Sequence, residues 1–400
     1  MPRLYGPRTA AVAVGMALAL SCAAGLTAPA HASDMDPAIA ERLTLPQQRA
    51  YLLYLRARAA FDSRLDAYWR VVDAKREGRR LKHARHQTYT TDDYVDEQPP
   101  QYAGPPLPPD VARVIANLKP TTPEEPRSGL ADFLRGAKDS FGFVPERISE
   151  REFKRRYAYE ALQAGLTKEQ VVRVYALETG GRGTYDMQAG IDPQTKQGRP
   201  ISSAMGYAQL LHANSINELV NHGELFIRRL SAMAAARGID QRRAALLRGK
   251  ITSLRKMLRV ARSVPNQWGA QVRLAGTERG LGIHAINLDG DIGPWLQVVK
   301  LRGLLDTARQ AGRPHLPGSE LELMNLAGPR TGLEMLQPIG RTMPTTNFFS
   351  RTGYYRNTIV RGKTGEQLLA ALGQRMDENM KQAGAIEFAA VFDELMRQRR

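Results

Sequence analysis

Apolar residues recur three or four positions apart along most of the chain, and this spacing predicts helices rather than strands. Between positions 46 and about 82 the pattern is unbroken and indicates one long helix. Its end is strongly basic between Lys75 and Arg85, which is typical of a helix end that faces solvent. Further amphipathic helices are predicted at 241–264, 294–311 and 320–326, and two more close the chain.

Polar residues mark where several of these helices begin. Three Ser or Thr residues are each followed three positions later by Glu or Gln, a pairing that caps a helix start. The pairs are Ser149 with Glu152, Thr167 with Gln170, and Ser215 with Glu218. They predict helices at 150–163, at 168–178 and from Ser215 to about 237. Gly180 and Gly181 would end the second helix, since glycine accepts the left-handed conformation of a helix end.

Two segments break the helical pattern. From 184 to 203, short extended pieces flank Asp192, with Gly198 nearby, which suggests a β-hairpin. From 86 to 126, repeated Pro-Pro pairs with little periodicity indicate an extended, semi-rigid linker. A short helix at 110–118 interrupts this linker.

These patterns divide the chain into four predicted parts and place it in the mainly α class with a small β-hairpin. The parts are an export signal at 1–32, a helical segment at 33–85, the Pro-rich linker at 86–126 and a helical domain at 127–400. We find no internal repeat in the chain.

The first 32 residues have the layout of an export signal. Arg3 and Arg8 give a positive start, residues 9–26 are almost entirely small and apolar, and the small residue Ala32 suits cleavage. A retained membrane anchor is one alternative, although the apolar run is at the lower length limit for a span. A lipoprotein processing site at Cys22, the only cysteine, is another. The predicted location is therefore periplasmic or secreted, with membrane attachment if Cys22 is lipidated.

The chain is strongly basic, with 57 Lys and Arg against 40 Asp and Glu and a formal charge of +17. Removal of the two arginines of the signal leaves +15, which favours binding to polyanions. Outside the cytoplasm these are cell-wall carboxylates and phosphates or membrane surfaces. Nucleic acid is the competing partner of a basic protein. The export signal argues against it, and the sequence contains no recognition-helix or zinc-finger pattern.

Glu178 is a candidate catalytic acid. The residues before it, from Val171 to Leu177, are mostly apolar, so the helix that ends there should be largely buried. Burial and the negative end of the helix dipole both disfavour ionisation and raise the pKa of a carboxyl group. A carboxylic acid that stays protonated near neutral pH can protonate a glycosidic oxygen. Taken alone, an ordinary surface Glu in a last helical turn is the simpler interpretation.

Three short motifs occur in an order that strengthens the catalytic interpretation. They are Glu178-Thr179-Gly180-Gly181, Gly206-Tyr207-Ala208-Gln209 and Met324-Asn325-Leu326-Ala327-Gly328. The set resembles the Glu-Ser, Gly-Leu-Met-Gln and Tyr-Asn-Ala-Gly motifs of soluble lytic transglycosylases and goose-type lysozymes, and the resemblance covers about 149–328. Thr179 departs from the family Ser, and the third motif has one residue inserted. The 28 positions from Glu178 to Gly206 make the intervening hairpin longer than in the family.

The resemblance implies a lysozyme-like catalytic domain and a peptidoglycan lytic transglycosylase that needs no cofactor and no metal. Glu178 would protonate the oxygen between N-acetylmuramic acid and N-acetylglucosamine. It would then take the proton of the muramic C6 hydroxyl while a 1,6-anhydro ring closes. The glycan strands of peptidoglycan would be the main partner, and the N-terminal helix could contact other envelope proteins.

The resemblance also assigns substrate contacts. Gln209 and Ser203 would hold polar groups of the sugar, and Gly206 would let the sugar approach the backbone. Tyr207 would either stack on a sugar face or pack the hairpin against the helix. Independently of the resemblance, the aromatic pair in the polar loop after the third motif indicates that Tyr355 would either line a sugar subsite or anchor the loop to the core. The other candidate contacts are Thr179, Met205 and Asn325.

A muramidase on the same fold is an alternative, and it would more often need a second carboxylate that positions water. Asp186 and Asp192 of the predicted hairpin are the candidates, although Asp192 before Pro193 is typical of a turn. A third alternative is a non-catalytic protein that binds the wall or assists envelope assembly. The altered second motif favours this alternative, whereas an acid at position 178 argues against it.

Two further segments resemble ligand-binding loops, but they are not predicted to bind a metal or a phosphate. Residues 287–293 alternate Asn and Asp as a calcium loop does, but the glycine is displaced and the terminal Glu is missing. Asp291 is therefore interpreted as a cap or turn residue of the next helix. Residues 362–365 match half of a phosphate loop and are interpreted as a helix start. The seven histidines show no metal-ligand spacing.

Overall fold

The computed structural model describes residues 35–118 and 127–398 of the chain. The predicted export signal and Cys22 lie outside these residues. Within them the protein is mainly α, as predicted, and helices make up nearly all of the regular structure. In these two ranges we find no helix that combines the length of a membrane span with the apolar composition that a span requires.

One compact unit consists of residues 35–64 and 101–118. Its helices are α1 (Pro37–Ala40), the first half of α2 (Leu45–Ala84) and α3 (Pro109–Leu118). Gln47 Nε2 donates to Asp110 Oδ2 at 2.5 Å and so ties α2 to α3. The predicted long and short helices are confirmed, each within two residues at either end. The core of this unit consists of Ile39, Leu43, Tyr51 and Val111.

The second compact unit consists of residues 65–100 and 127–398 and contains every predicted site residue. It holds the second half of α2 and fourteen further helices of the described chain. They are α4 (Leu130–Phe141), α5 (Glu150–Gln163), α6 (Lys168–Thr179), α7 (His212–Ala234), α8 (Gln241–Ala261), α9 (Trp268–Ala275), α10 (Glu278–His284), α11 (Ile292–Gln310), α12 (Gly318–Ala327), α13 (Pro329–Met335), α14 (Pro338–Thr342), α15 (Arg351–Arg356), α16 (Gly365–Asn379) and α17 (Ala383–Gln398).

The main hydrophobic core of this unit lies between α4, α7, α8, α10 and α11. Helices α4 and α10 approach so closely that a Cβ atom on Gly136 would lie 2.6 Å from the carbonyl oxygen of Glu278. Glycine is therefore required at this crossing. On the other side of the unit, α6 packs against α5, α12, α16 and α17. These contacts bring the last turn of α6 next to α12.

The predicted β-hairpin between α6 and α7 does not form. This segment contains only isolated antiparallel bridges, which pair Gln188 with Met205, Ile191 with Gly198, and Met205 with Leu210. At its tip, Asp192 Oδ1 accepts hydrogen bonds from the backbone N–H groups of Gln194 and Thr195. This local turn joins Ile191 and Gly198 in one bridge, but the pairing does not extend into continuous strands. It also confirms the interpretation of Asp192 as a turn residue.

The predicted start of α7 at Ser215 is wrong. The helix begins at His212, because the side chain of Asn214 accepts the backbone N–H of Leu211 and caps the helix there. Ser215 is fully buried, and its hydroxyl hydrogen-bonds His284 Nδ1 at 2.8 Å. It therefore ties α7 to α10 instead of capping a helix. By contrast, the predicted starts at Ser149 and Thr167 are confirmed.

The first half of the predicted linker belongs to the second unit. Tyr94 is buried, and the guanidinium group of Arg79 lies 4.4 Å from the centre of its ring. The backbone of Val95 exchanges two hydrogen bonds with the Asn347 side chain, at 2.9 and 2.7 Å. Residues 86–100 are therefore packed within the second unit, whereas their Pro-rich composition predicted an extended, semi-rigid linker.

A buried ion cluster holds α8 against the loop before α11. Lys250 Nζ lies 2.6 Å from Asp291 Oδ2, 2.9 Å from Asp289 Oδ2 and 2.7 Å from Glu146 Oε2. Burial alone would lower the pKa of Lys250, but these carboxylates raise it above its ordinary value. The ammonium group therefore contacts Asp289 and Asp291, two acids of the segment that resembles a calcium loop.

The same cluster corrects the predicted role of Asp291. Its carboxylate accepts from Lys250 and from Arg243 at 2.7 and 2.8 Å, and it makes no capping hydrogen bond. Asp289 Oδ1 instead accepts the backbone N–H groups of Asp291 and Ile292 at the start of α11. In the described residues we find no group of three or more His, Cys, Asp or Glu side chains that could hold a metal ion.

Candidate active site

Glu178 lies in the last turn of α6. Thr167 caps its start, where its side chain accepts the backbone N–H of Gln170, and Gly180, which has a φ of 63°, caps its end. Most side chains between these ends are buried, and Glu178 itself is partly buried. The predicted position of the acid at the end of a mostly buried helix is therefore confirmed.

The pKa of the Glu178 carboxyl group lies near neutral pH. Burial raises its pKa to about 7, while hydrogen bonds from Glu322 and Asn325 oppose this rise. Asn325 Nδ2 donates to Glu178 Oε1 at 3.0 Å. These two residues belong to the first and third sequence motifs, and 147 positions separate them along the chain. Folding of α6 against α12 therefore joins the two motifs at one carboxyl group.

Glu322 is a site residue that the sequence did not reveal. It lies on α12, its side chain is only 2% exposed, and it shares a hydrogen bond with Glu178. Burial and the charge of Glu178 hold the pKa of Glu322 well above its usual range, against the opposing charge of Lys300. Asn325 Nδ2 lies 3.5 and 3.4 Å from the two Glu322 carboxyl oxygens. One amide thus faces both carboxyl groups.

The second motif forms a tight turn against α11. Gly206 has a φ of 78°, and a Cβ atom there would lie 2.6 Å from Gln297 Nε2, so both conformation and space require glycine. Gln297 Oε1 accepts the backbone N–H of Ala208 at 3.1 Å. Gln209 donates its side-chain amide to the Gly206 carbonyl at 2.8 Å. This amide therefore closes the turn, and its predicted contact with a sugar remains a prediction.

The structure corrects the predicted contact between Tyr207 and a sugar. Tyr207 is 1% exposed, and its ring packs edge-to-face on Tyr175 with 4.9 Å between centroids. Its hydroxyl donates to the carboxylate of Glu150. Since Tyr175 stands three positions before Glu178, the ring fastens this segment to α6, which is the packing alternative. Met205 is also fully buried and belongs to the core.

Two predicted substrate contacts are engaged within the protein. The Thr179 hydroxyl donates to the carbonyl of Tyr175 at 2.6 Å and is buried. Ser203 Oγ accepts the backbone N–H of His212 at 3.2 Å, and its carbonyl contacts His284 Nε2 at 2.8 Å. Burial lowers the pKa of His284 to about 3, so this ring is neutral at physiological pH. Both hydroxyls therefore hold local structure.

Asp186 is occupied by ion pairs. Its carboxylate lies 2.6 Å from Arg147 Nη2 and 3.2 Å from Lys196 Nζ, and Thr184 donates to it at 2.6 Å. Burial would raise the pKa of Asp186, but these partners bring it below its usual value. A carboxylate held in this way is a weak base. The geometry thus offers no support for Asp186 as a second catalytic carboxylate.

Tyr355 lies on α15 and belongs to an aromatic cluster that includes Trp69 of the long helix α2. Its ring centroid lies 5.1 Å from that of Tyr354 and 6.0 Å from that of Trp69 on α2. The residue is 36% exposed. The anchoring alternative is supported by these contacts, and the exposed part of the ring leaves the sugar subsite as a prediction.

The last turn of α6 rests on the C-terminal helices. Asn379 Nδ2 donates to the carbonyl of Ala176 at 2.9 Å, and the backbone N–H of Ala385 donates to the carbonyl of Gly181 at 3.0 Å. A Cβ atom on Gly181 would lie 2.2 Å from the carbonyl oxygen of Asn379. The junction between α16 and α17 therefore supports the turn that carries Glu178.

Glu218 on α7 is a second buried acid that the sequence suggested only as a helix cap. It is 8% exposed, and burial raises its pKa to about 7, against the opposing charge of Lys300. His222 Nε2 lies 3.5 Å away, and burial lowers the pKa of that ring. The positive charge of Lys300 opposes the rise in pKa of both Glu218 and Glu322. The two buried acids therefore interact with the same ammonium group.

We expect Glu218→Gln to stabilise the protein at pH 8 and to leave its stability unchanged near pH 4. A carboxyl group with a raised pKa costs stability as pH rises from its unfolded value, about 4.5, to about 7. The cost at pH 8 is up to about 3 kcal/mol. Urea unfolding at both pH values measures it. Glu224→Gln, an exposed site on the same helix, should change neither value. Equal effects of the two variants would contradict the expectation.

Comparison with known proteins found no matching family model, no similar curated protein and no similar solved structure. The function must therefore be inferred from the site itself. The features that matter are the raised pKa of Glu178, its amide partner and its paired carboxyl group.

Proposed function

We propose that the protein is an exported peptidoglycan lytic transglycosylase with a lysozyme-like catalytic domain. It cleaves the β-1,4 bond between N-acetylmuramic acid and N-acetylglucosamine and leaves a 1,6-anhydro end. The observation that carries this proposal is the hydrogen bond from Asn325 to Glu178, at a carboxyl group with a pKa of about 7. It joins two motifs that are far apart in sequence at a group suited to proton transfer.

The mechanism uses Glu178 twice. Its carboxyl O–H gives a proton to the glycosidic oxygen while the bond from this oxygen to the muramic C1 breaks. Glu178 is then a carboxylate, and it takes the proton of the muramic C6 hydroxyl as that oxygen bonds to C1. The acid is regenerated, and no water enters the reaction. Asn325 holds the carboxyl group in place through both steps.

A muramidase-type hydrolase is the second candidate, and Glu218 is the observation that favours it. This acid is buried on α7. The charge of Lys300 lowers its pKa and also that of Glu322, the partner of Glu178. An ionised Glu218 could orient a water molecule for attack on C1, as the second carboxylate of hydrolases does. The product would then carry a reducing end in place of the anhydro ring.

Digestion of purified wall sacculi tests both candidates. The chain without residues 1–32 is incubated with sacculi, and the released muropeptides are analysed by mass spectrometry. We expect anhydro-muropeptides. Products heavier by one water, with a reducing end, would replace the lyase proposal with hydrolysis. If the folded protein sediments with sacculi but releases nothing, a non-catalytic wall-binding function would be supported instead.

A further inference from the structure

We propose that Glu322 is a positioning residue that keeps its own proton and donates this O–H to Glu178 whenever Glu178 is ionised. This role rests on the proposed function of Glu178 as acid and base. Glu322 itself would not touch the sugar, because its side chain is only 2% exposed.

The two carboxyl groups face one amide, because Asn325 Nδ2 lies within 3.5 Å of oxygens of both. They share a hydrogen bond, and a carboxyl group can donate only while it is protonated. Two ionised carboxylates that face the same amide would repel each other in a buried site. Asn325 lies 3.0 Å from Glu178 but 3.4 Å or more from Glu322, so its amide serves mainly Glu178. The pair therefore needs one retained proton.

Burial decides which of the two groups retains it. Glu322 is almost completely inside the protein, whereas Glu178 is partly exposed, so ionisation costs more at Glu322. Burial raises the pKa of both carboxyl groups, and the charge of Glu178 raises that of Glu322 as well. The hydrogen bond therefore runs from the Glu322 O–H to the Glu178 carboxylate.

The charged groups around Glu322 do not reverse this order. Within the described residues, the largest charge effects on it come from Glu178 on α6 and from Lys300 on α11. Lys300 favours ionisation, but its effect is smaller than that of burial and of the Glu178 charge. Glu320, the other acid nearby on α12, is engaged by Arg313 at 2.8 Å and by Arg341 at 3.1 Å.

The pair gives Glu178 a stabilised ionised state in the middle of the reaction. After Glu178 has given its proton to the glycosidic oxygen, the Glu322 O–H donates to the new carboxylate. When Glu178 takes the proton of the C6 hydroxyl, the two groups return to their starting state. Glu322 neither gains nor loses a proton over the cycle. Hydrogen bonds to a charged group are among the stronger ones in proteins.

Two variants separate the effect of the hydrogen-bond donor at position 322 from the effect of the size of the side chain. Glu322→Gln keeps a donor of similar size, and Glu322→Met keeps the size without a donor. We expect Glu178 in the Met variant to titrate about 1 to 2 pH units higher than in the wild type, and the Gln variant to stay close to it. Carboxyl ¹³C NMR measures this on the protein without substrate, with Glu178→Gln to assign the signal. The basic limb of the kcat/KM profile should move equally.

Several outcomes would overturn the inference. One is a wild-type Glu322 signal that titrates near 4.5, and another is an equal effect of the Met and Gln variants on Glu178. If the Met variant fails to fold, the wild-type titration alone decides, because it requires no substitution. The NMR result does not depend on activity. A retained proton on Glu322 in a protein that releases no muropeptide would therefore reject the proposed function and leave the pair intact.

Discussion

Glu178→Gln should reduce the release of anhydro-muropeptides from sacculi by about 10²- to 10⁴-fold, the usual contribution of a general acid–base group. Glutamine keeps the size and can still hydrogen-bond, but it has no proton of suitable acidity for the glycosidic oxygen. Rates are compared at pH 6, where the wild-type carboxyl group is mostly protonated, since its pKa is about 7. For the same reason, wild-type activity should fall as pH rises above about 7.

The matched control is Glu366→Gln, which changes an exposed acid at the start of α16. Its activity should equal that of the wild type. Glu178→Gln should also unfold at no lower urea concentration than the wild type at pH 8, because it removes a buried group whose ionisation is costly. A variant at position 178 that keeps more than a third of the wild-type rate would show that another residue donates the proton.

Lys250→Met should destabilise the protein by about 3–5 kcal/mol, the cost of removing one partner from a buried ion cluster. Methionine fills a similar volume, but it leaves Asp289 and Asp291 buried without their ammonium partner. Both carboxylates are at most 3% exposed. Chemical denaturation at pH 7 measures the loss. It should be smaller at acidic pH, where the abandoned carboxyl groups can take up protons.

Lys256→Met is the control for this substitution, since Lys256 is exposed six positions further along α8. Its effect on stability should be within about 0.5 kcal/mol. If Lys250→Met proved equally mild at pH 7, Arg243 alone would suffice to neutralise the cluster. Arg243 already contacts Asp291 through Nη2 at 2.7 Å.

The features that the sequence predicted best depend on neighbouring residues. Thr167 and Gln170 cap the start of α6, and Gly180 ends it, so three positions define the helix that carries Glu178. The predicted partial burial of Glu178 also followed from the local pattern, because the residues just before it in the helix are mostly apolar and the helix is therefore largely buried. These predictions needed no knowledge of what lies opposite α6.

The features that were missed depend on contacts between distant segments. Glu322 lies in a short helix with buried residues on most sides, and its pairing with Glu178 depends on the packing of α12 on α6. One local signal existed: Glu322 precedes Asn325 by three positions, which places both on one helical face. Ser215 resembled a cap because its sequence spacing is that of a cap, yet its partner is His284, 69 positions away.

The support of α6 by the C-terminal helices has a consequence for the timing of activity. Asn379, which holds the carbonyl of Ala176, follows it by 203 positions. At ordinary rates of synthesis, a ribosome needs about 10 to 40 s to make that stretch. During this interval the turn that carries Glu178 lacks the hydrogen bonds from Asn379 and Ala385. The turn that carries Glu178 therefore gains this support only after residues 379–385 have been made.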